Sequence, residues 1–119
     1  MASNFQFLKN EFTDLYDHAS KAEDYVVGDP RASLFYARSS LETAIKWMYA
    51  NDQKLIQPFD TSLNSLMLEV TFKEQFKNQK LYNEIHAIRR VGNQASHSKP
   101  VSKDDAYQTI EFLYYFTKW

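Results

Sequence analysis

The apolar residues of this chain recur every three or four positions almost from end to end, and that period suits the amphipathic helix. From the N-terminus they fall at Phe5, Leu8, Phe12, Leu15, Tyr16, Ala19 and Ala22, the stripe of one helix that Ser3 or Asn4 can cap. "VVGDPR" closes this helix at Gly28 and opens a second, with Asp29 as cap and Pro30 at the first helical position. Leu34, Ala37, Leu41, Ile45 and Met48 form the inward stripe of the second helix, which runs out near "ANDQ". No stretch alternates apolar and polar residues with the period of two that a half-buried strand needs.

The remaining punctuation extends the pattern. "KLIQPFD" is a loop, because Pro58 disfavours helix at Gln57. A short helix is predicted from Thr61 to about Val70, and another around Phe72 to Lys77, where Thr71 and Glu74 have the spacing of a capping box. A long helix follows from about Gln79, with Leu81, Ile85, Ile88, Gly92 and Ala95 on its stripe. Ser102 with Asp105 opens the last helix, which carries Ala106, Ile110, Leu113 and Thr117 inward. The 119 residues suffice for one core, so the expectation is a single domain, 1–119, folded as an all-α, up-and-down bundle of four main helices plus one or two short ones.

Composition narrows the function classes. Fourteen Lys and Arg against 15 Asp and Glu leave a net charge of -1, so there is no global pull toward nucleic acid or an anionic membrane. Recognition by charge needs a local patch. Residues 1–29 hold six acids against Lys9 and Lys21, which leaves the remainder slightly basic. Cysteine is absent, which removes disulfides, a thiolate nucleophile and cysteine metal sites, and suits a cytoplasmic location. The N-terminal stretch interrupts its apolar residues with Lys9, Asn10, Glu11 and Asp14 and serves neither as a signal-peptide core nor as a membrane span. His18, His86 and His97 are scattered, with no HExxH pair, phosphate-binding glycine loop or GxSxG elbow. No metal and no cofactor is expected in the domain.

Two features exceed what a plain bundle needs. In "HAIRRVGNQASHS", residues 86–98, Arg90, Asn93, Gln94 and His97 lie at i, i+3, i+4 and i+7 on one helix face, with Arg89 beside them. Gly92 costs about 1 kcal/mol relative to alanine inside a helix. Together with small Ala95, it predicts another backbone or a ligand packed close against this turn. One reading is phosphate chemistry, with Arg90 as phosphate ligand and His97 as general base in metal-free RNA cleavage. The structural alternative pairs Arg89 or Arg90 with an acid of the first helix or with Asp29, while Asn93 and His97 satisfy helix ends and loop carbonyls. Arg31 and Arg38, seven apart on the second helix, could join these arginines, Lys99 and Lys103 in a basic patch. The second feature is "TIEFLYYFTKW", apolar on nearly every side and without a polar stop. It leads to the expectation that the chain continues and that Phe112, Tyr115, Phe116 and Trp119 dock on a downstream domain, a partner or a second copy.

Through "SNFQFLK", "DPRASLFYARSSLETAIKWMY" and above all "IRRVGNQASH", which holds Arg89, Arg90, Gly92, Asn93, Gln94, Ala95 and His97, the chain resembles DUF4145. This is the helical N-terminal domain of the restriction (R) subunit in a subset of type I restriction-modification enzymes. The resemblance spans essentially the whole chain. It implies a parent subunit that continues into a nuclease domain and an ATP- and Mg-using motor that translocates and cleaves DNA, assembled with methyltransferase and specificity subunits. DUF4145 is in turn similar to the HEPN superfamily, whose active members are metal-independent RNases with an Arg, four to six residues, then His. Arg90 and His97 have six between them, but Val91 stands where active members favour a polar residue. The resemblance therefore implies a HEPN-like bundle acting as a non-catalytic assembly, docking or regulatory module. The alternative is an RNase or nucleotide-binding module using Arg90 and His97.

Overall fold

The structure, a computed structural model, describes residues 3–95 and 101–119. A 3₁₀ turn, Gln6–Leu8, precedes α1 (Thr13–Gly28), α2 (Pro30–Asn51), α3 (Leu63–Leu68), α4 (Val70–Lys73), α5 (Gln79–Ala95) and α6 (Lys103–Lys118). The described residues contain no strand, and the all-α bundle with four long helices and two short ones stands as expected. No described helix is long and apolar enough to cross a membrane.

Asp29 is the only residue between α1 and α2. Its carboxylate accepts the Ala32 N–H at 3.1 Å, and Pro30 takes the first helical position, where a missing N–H leaves no bond unmade. The two helices then run antiparallel, as their contacts show: Ser33 reaches Ala22, Ser39 reaches His18, and Phe12 meets Trp47. Small buried residues, Ala19 and Ala22 on α1 with Ser33, Ala37 and Ser40 on α2, allow the close approach. The Ser33 hydroxyl donates to the Ala22 carbonyl at 2.6 Å and the Ser40 hydroxyl to the Tyr36 carbonyl at 2.8 Å, so burying these polar groups leaves none unpaired. Leu34, Leu41 and Ile45 of α2, Ile85 and Ile88 of α5, and Leu113 of α6 are fully buried in the shared core.

A helix as short as α3 has no independent stability. It is hung from its neighbours: the Tyr49 hydroxyl donates to the Leu66 carbonyl at 2.6 Å and the Tyr82 hydroxyl to the Met67 carbonyl at 2.8 Å. Burial, reinforced by the charge of Glu69, pushes the Tyr49 phenol up to about 12. Burial also raises Tyr82, against the opposing pull of Arg89.

Three expected boundaries move. The first helix does not run unbroken from Phe5, because the chain leaves helical geometry at Phe12 (φ -129°, ψ 62°). Phe5 and Leu8 belong to a separate turn with a different partner: Phe5 is fully buried and meets the Tyr114 ring of α6 edge-on at 6.0 Å. Ser3 accepts the Phe5 N–H at 3.0 Å and so supports this turn rather than α1. The Thr71–Glu74 capping box does not form. Glu69 caps α4 instead, accepting the Thr71 N–H at 2.8 Å, which puts Thr71 inside the helix, where its hydroxyl accepts the Ile56 N–H at 2.9 Å. Helix α4 accordingly ends at Lys73, and α3 begins at Leu63 under a Ser62 cap. The Ser102–Asp105 box of α6 forms with both its hydrogen bonds.

Candidate functional site

The seam between α2 and α5 is built around Gly92. A Cβ on this residue would stand 2.6 Å from the Arg38 Cβ and 2.9 Å from the Arg38 Cδ, closer than carbon atoms pack. The expected close approach is real, and the stem of an arginine makes it. One turn further along α5, the Arg31 guanidinium donates to the carbonyl of buried Ala95. Because α2 and α5 are antiparallel, Arg38 and Arg31 meet successive turns of α5.

This packing sets the arginines of α2 beside those of α5. The Nε atoms of Arg38 and Arg89 are both buried, with no hydrogen-bond partner among the described residues. Burial, then the charges of Arg90 and Arg38, pull Arg89 below the usual arginine range, with Tyr82 acting the other way. Glu42 lies 3.5 Å from Arg38, but it also holds Lys46 at 2.9 Å. Among the described residues no carboxylate comes within ion-pair distance of Arg89 or Arg90. Glu23 instead accepts the Asn4 N–H, and Asp29 caps α2. The α1 and Asp29 pairings expected of Arg89 or Arg90 therefore do not form there.

Arg90 and Gln94 are exposed and Asn93 is half-buried. His97 and Lys99 lie outside the described residues, so the Arg90–His97 pairing has no geometry here. The residue that sequence reasoning passed over is His86. It is buried, with the Tyr82 ring edge-on at 4.6 Å. Burial first, then the charges of Arg89, Arg90 and Lys73, hold its imidazole below the ordinary histidine value. Its only sequence signal was a position three and four residues before the arginine pair. Among the described residues no group of three or more His, Cys, Asp or Glu is placed to hold a metal.

The expected docking set on α6 divides. Phe116 is buried in the core and Phe112 is half-buried, whereas Tyr115 and Trp119 are exposed. The all-round apolar character of this helix has a local cause, since the rings of both Phe5 and Phe7 meet Tyr114 edge-on at 6.0 Å. The N-terminal turn thus covers a face that would otherwise be open.

Fold and seam together define a small helical-bundle domain with an arginine-lined contact between its second and fifth helices. A family model described as "Domain of unknown function (DUF4145)" matches residues 20–117, and the chain belongs to that family. No curated protein and no solved structure matches it.

Proposed function

We propose that this domain is a non-catalytic accessory module of the R subunit of a type I restriction-modification enzyme, and that it contacts nucleic-acid phosphates through the arginines of α2 and α5. One observation carries the reading: Arg38, Arg89 and Arg90 stand together, and the described residues offer Arg89 and Arg90 no carboxylate. Like charges gathered by the fold raise its free energy until an anion joins them, and guanidinium forks match phosphate geometry. A non-catalytic role is supported by Val91, which follows Arg90 where active members of the HEPN superfamily favour a polar residue. In the complete enzyme such contacts would help place DNA for the ATP- and Mg-dependent motor and the nuclease, alongside the methyltransferase and specificity subunits, in the cytoplasm.

The test is fluorescence anisotropy of labelled DNA and RNA oligonucleotides with residues 1–119 across a salt series. Affinity is expected to fall linearly with log salt, and Arg89→Gln with Arg90→Gln to reduce the slope by about one per arginine that touches a phosphate. Absence of binding at low salt refutes the phosphate contact. An R subunit that assembles and cuts DNA normally without residues 1–119 refutes the accessory role. Metal-free RNA cleavage that is lost in folded Arg90→Ala and His97→Ala variants would establish the HEPN-like RNase in its place.

A further inference from the structure

On the other half of α2 lies an open groove of about 900 Å³, bounded by the first turn of α1, the C-terminal part of α2 and the end of α6. Phe12 and Met48 contribute apolar surface to it, and the indoles of Trp47, from α2, and Trp119, from the chain after α6, both line it. The indoles keep 50% and 55% of their surface exposed. The Phe12 ring meets Trp47 edge-on at 5.1 Å. Glu11, Asp14 and Asp52 add three carboxylates, and among the described residues no lysine or arginine lines it. Lys118, beside Trp119 in sequence, is turned away over the Phe7 and Tyr114 rings.

An apolar trough with one sign of charge has a defined complement. The exposed indoles gain from contact with an aliphatic or aromatic side chain, and their faces also attract cations. Carboxylates beside a low-dielectric wall favour positive charge more than they would on an open surface. With a net charge of -1 the chain as a whole exerts little attraction, so the preference is local. We infer that this groove docks a segment of a partner protein presenting an apolar anchor flanked by Lys or Arg, as on one face of a basic amphipathic helix. Trp47 lies nine residues beyond Arg38, about 14 Å along the helix axis. The groove is therefore separate from the arginine seam and does not depend on its role.

The chain has only two tryptophans, and both line the groove, so its emission reports occupancy directly. The experiment titrates residues 1–119 with two 14-residue peptides that share one pattern of leucines and lack Trp and Tyr, one carrying Lys at its polar positions and the other Glu. The lysine peptide should give a saturable blue shift, with the glutamate peptide weaker by a factor on the order of ten. Glu11→Lys with Asp14→Lys should reverse that order, whereas Asp24→Lys, toward the opposite end of α1, should leave it unchanged, with helicity checked by circular dichroism. Equal responses to the two peptides, no response to either, or a preference indifferent to the Glu11 and Asp14 reversal overturns the proposal. Trp47→Phe should remove part of the blue shift and Arg89→Gln none of it, which separates this surface from the nucleic-acid contact.

Discussion

Replacing Gly92 by alanine sets two physical effects against each other, and the structure decides the sign. Helix propensity alone favours the substitution by about 1 kcal/mol. Against that gain, the new Cβ would meet the Arg38 Cβ at 2.6 Å, with Cδ and Cγ at 2.9 and 3.1 Å. The nearest of these atoms is fixed to the α2 backbone and cannot swing aside, so the helices must separate. Overpacking of this kind costs about 1–3 kcal/mol, and a clash with a fixed atom belongs in the upper half of that range. The net loss is then about 1–2 kcal/mol, a fall in Tm of roughly 4–8 °C for a domain near this size. Gly28 supplies the control, since none of the described residues lies within 4 Å of a Cβ there. Gly28→Ala should be neutral or raise Tm by a few degrees, by restricting the unfolded chain by about 0.4–1 kcal/mol. Thermal unfolding followed by circular dichroism compares the two variants. Arg38→Ala in the Gly92→Ala background should recover only part of the loss, because the Arg38 Cβ remains. A Gly92→Ala domain that melts higher than wild type would refute the reasoning, for it would show that α2 yields without cost.

Stability should depend on pH through His86. Its folded pKa lies below the unfolded 6.5, so the unfolded chain takes up the proton first. Stability is then level above about pH 6.5 and falls as the pH drops through that value; urea midpoints at pH 7.5 and 5.5 measure the fall, and His86→Phe should flatten it. Tyr82→Phe leaves the Met67 carbonyl without its buried donor and should cost about 1 kcal/mol, readable as a lower urea midpoint. In a tyrosinate absorbance titration the wild type should show a late ionisation near pH 12 that is missing in Tyr49→Phe. Ser102→Ala removes the N-cap of α6 and should lower Tm by roughly 4 °C, from a loss of about 1 kcal/mol.

What the sequence made legible was local in origin. Asp29–Pro30 and Ser102–Asp105 set helix starts through bonds to residues three positions away, and both are where their chemistry places them. The stripe from Phe5 to Ala22 misled because periodicity records which residues are apolar and not what they pack against; Phe5 seeks Tyr114 while Leu15 and Ala19 lie on α1. Thr71 looked like a cap, yet Glu69 holds that place and the Thr71 hydroxyl serves a loop fifteen residues upstream. At the seam, Gly92 announced a close neighbour but could not say that it was Arg38, 54 positions earlier. The gathering of Arg38 with Arg89, and of Trp47 with Trp119, is a product of tertiary packing that no short window of sequence contains.

The N-terminal turn has a consequence for how this module is defined. The family match begins at residue 20, yet Phe5, Leu8, Leu15 and Ala19 are all buried and part of one core cluster. The stretch recognisable by kinship is thus shorter than the unit that folds. A fragment trimmed to the family boundary would strip the cover from Tyr114 and remove half of the α1 stripe, leaving a sheet-free bundle with one greasy side open to water and prone to self-association. Where related chains share the match but carry a different lead-in, the missing cover must come from elsewhere, and the solubility of each excised domain will depend on residues that the shared pattern does not include.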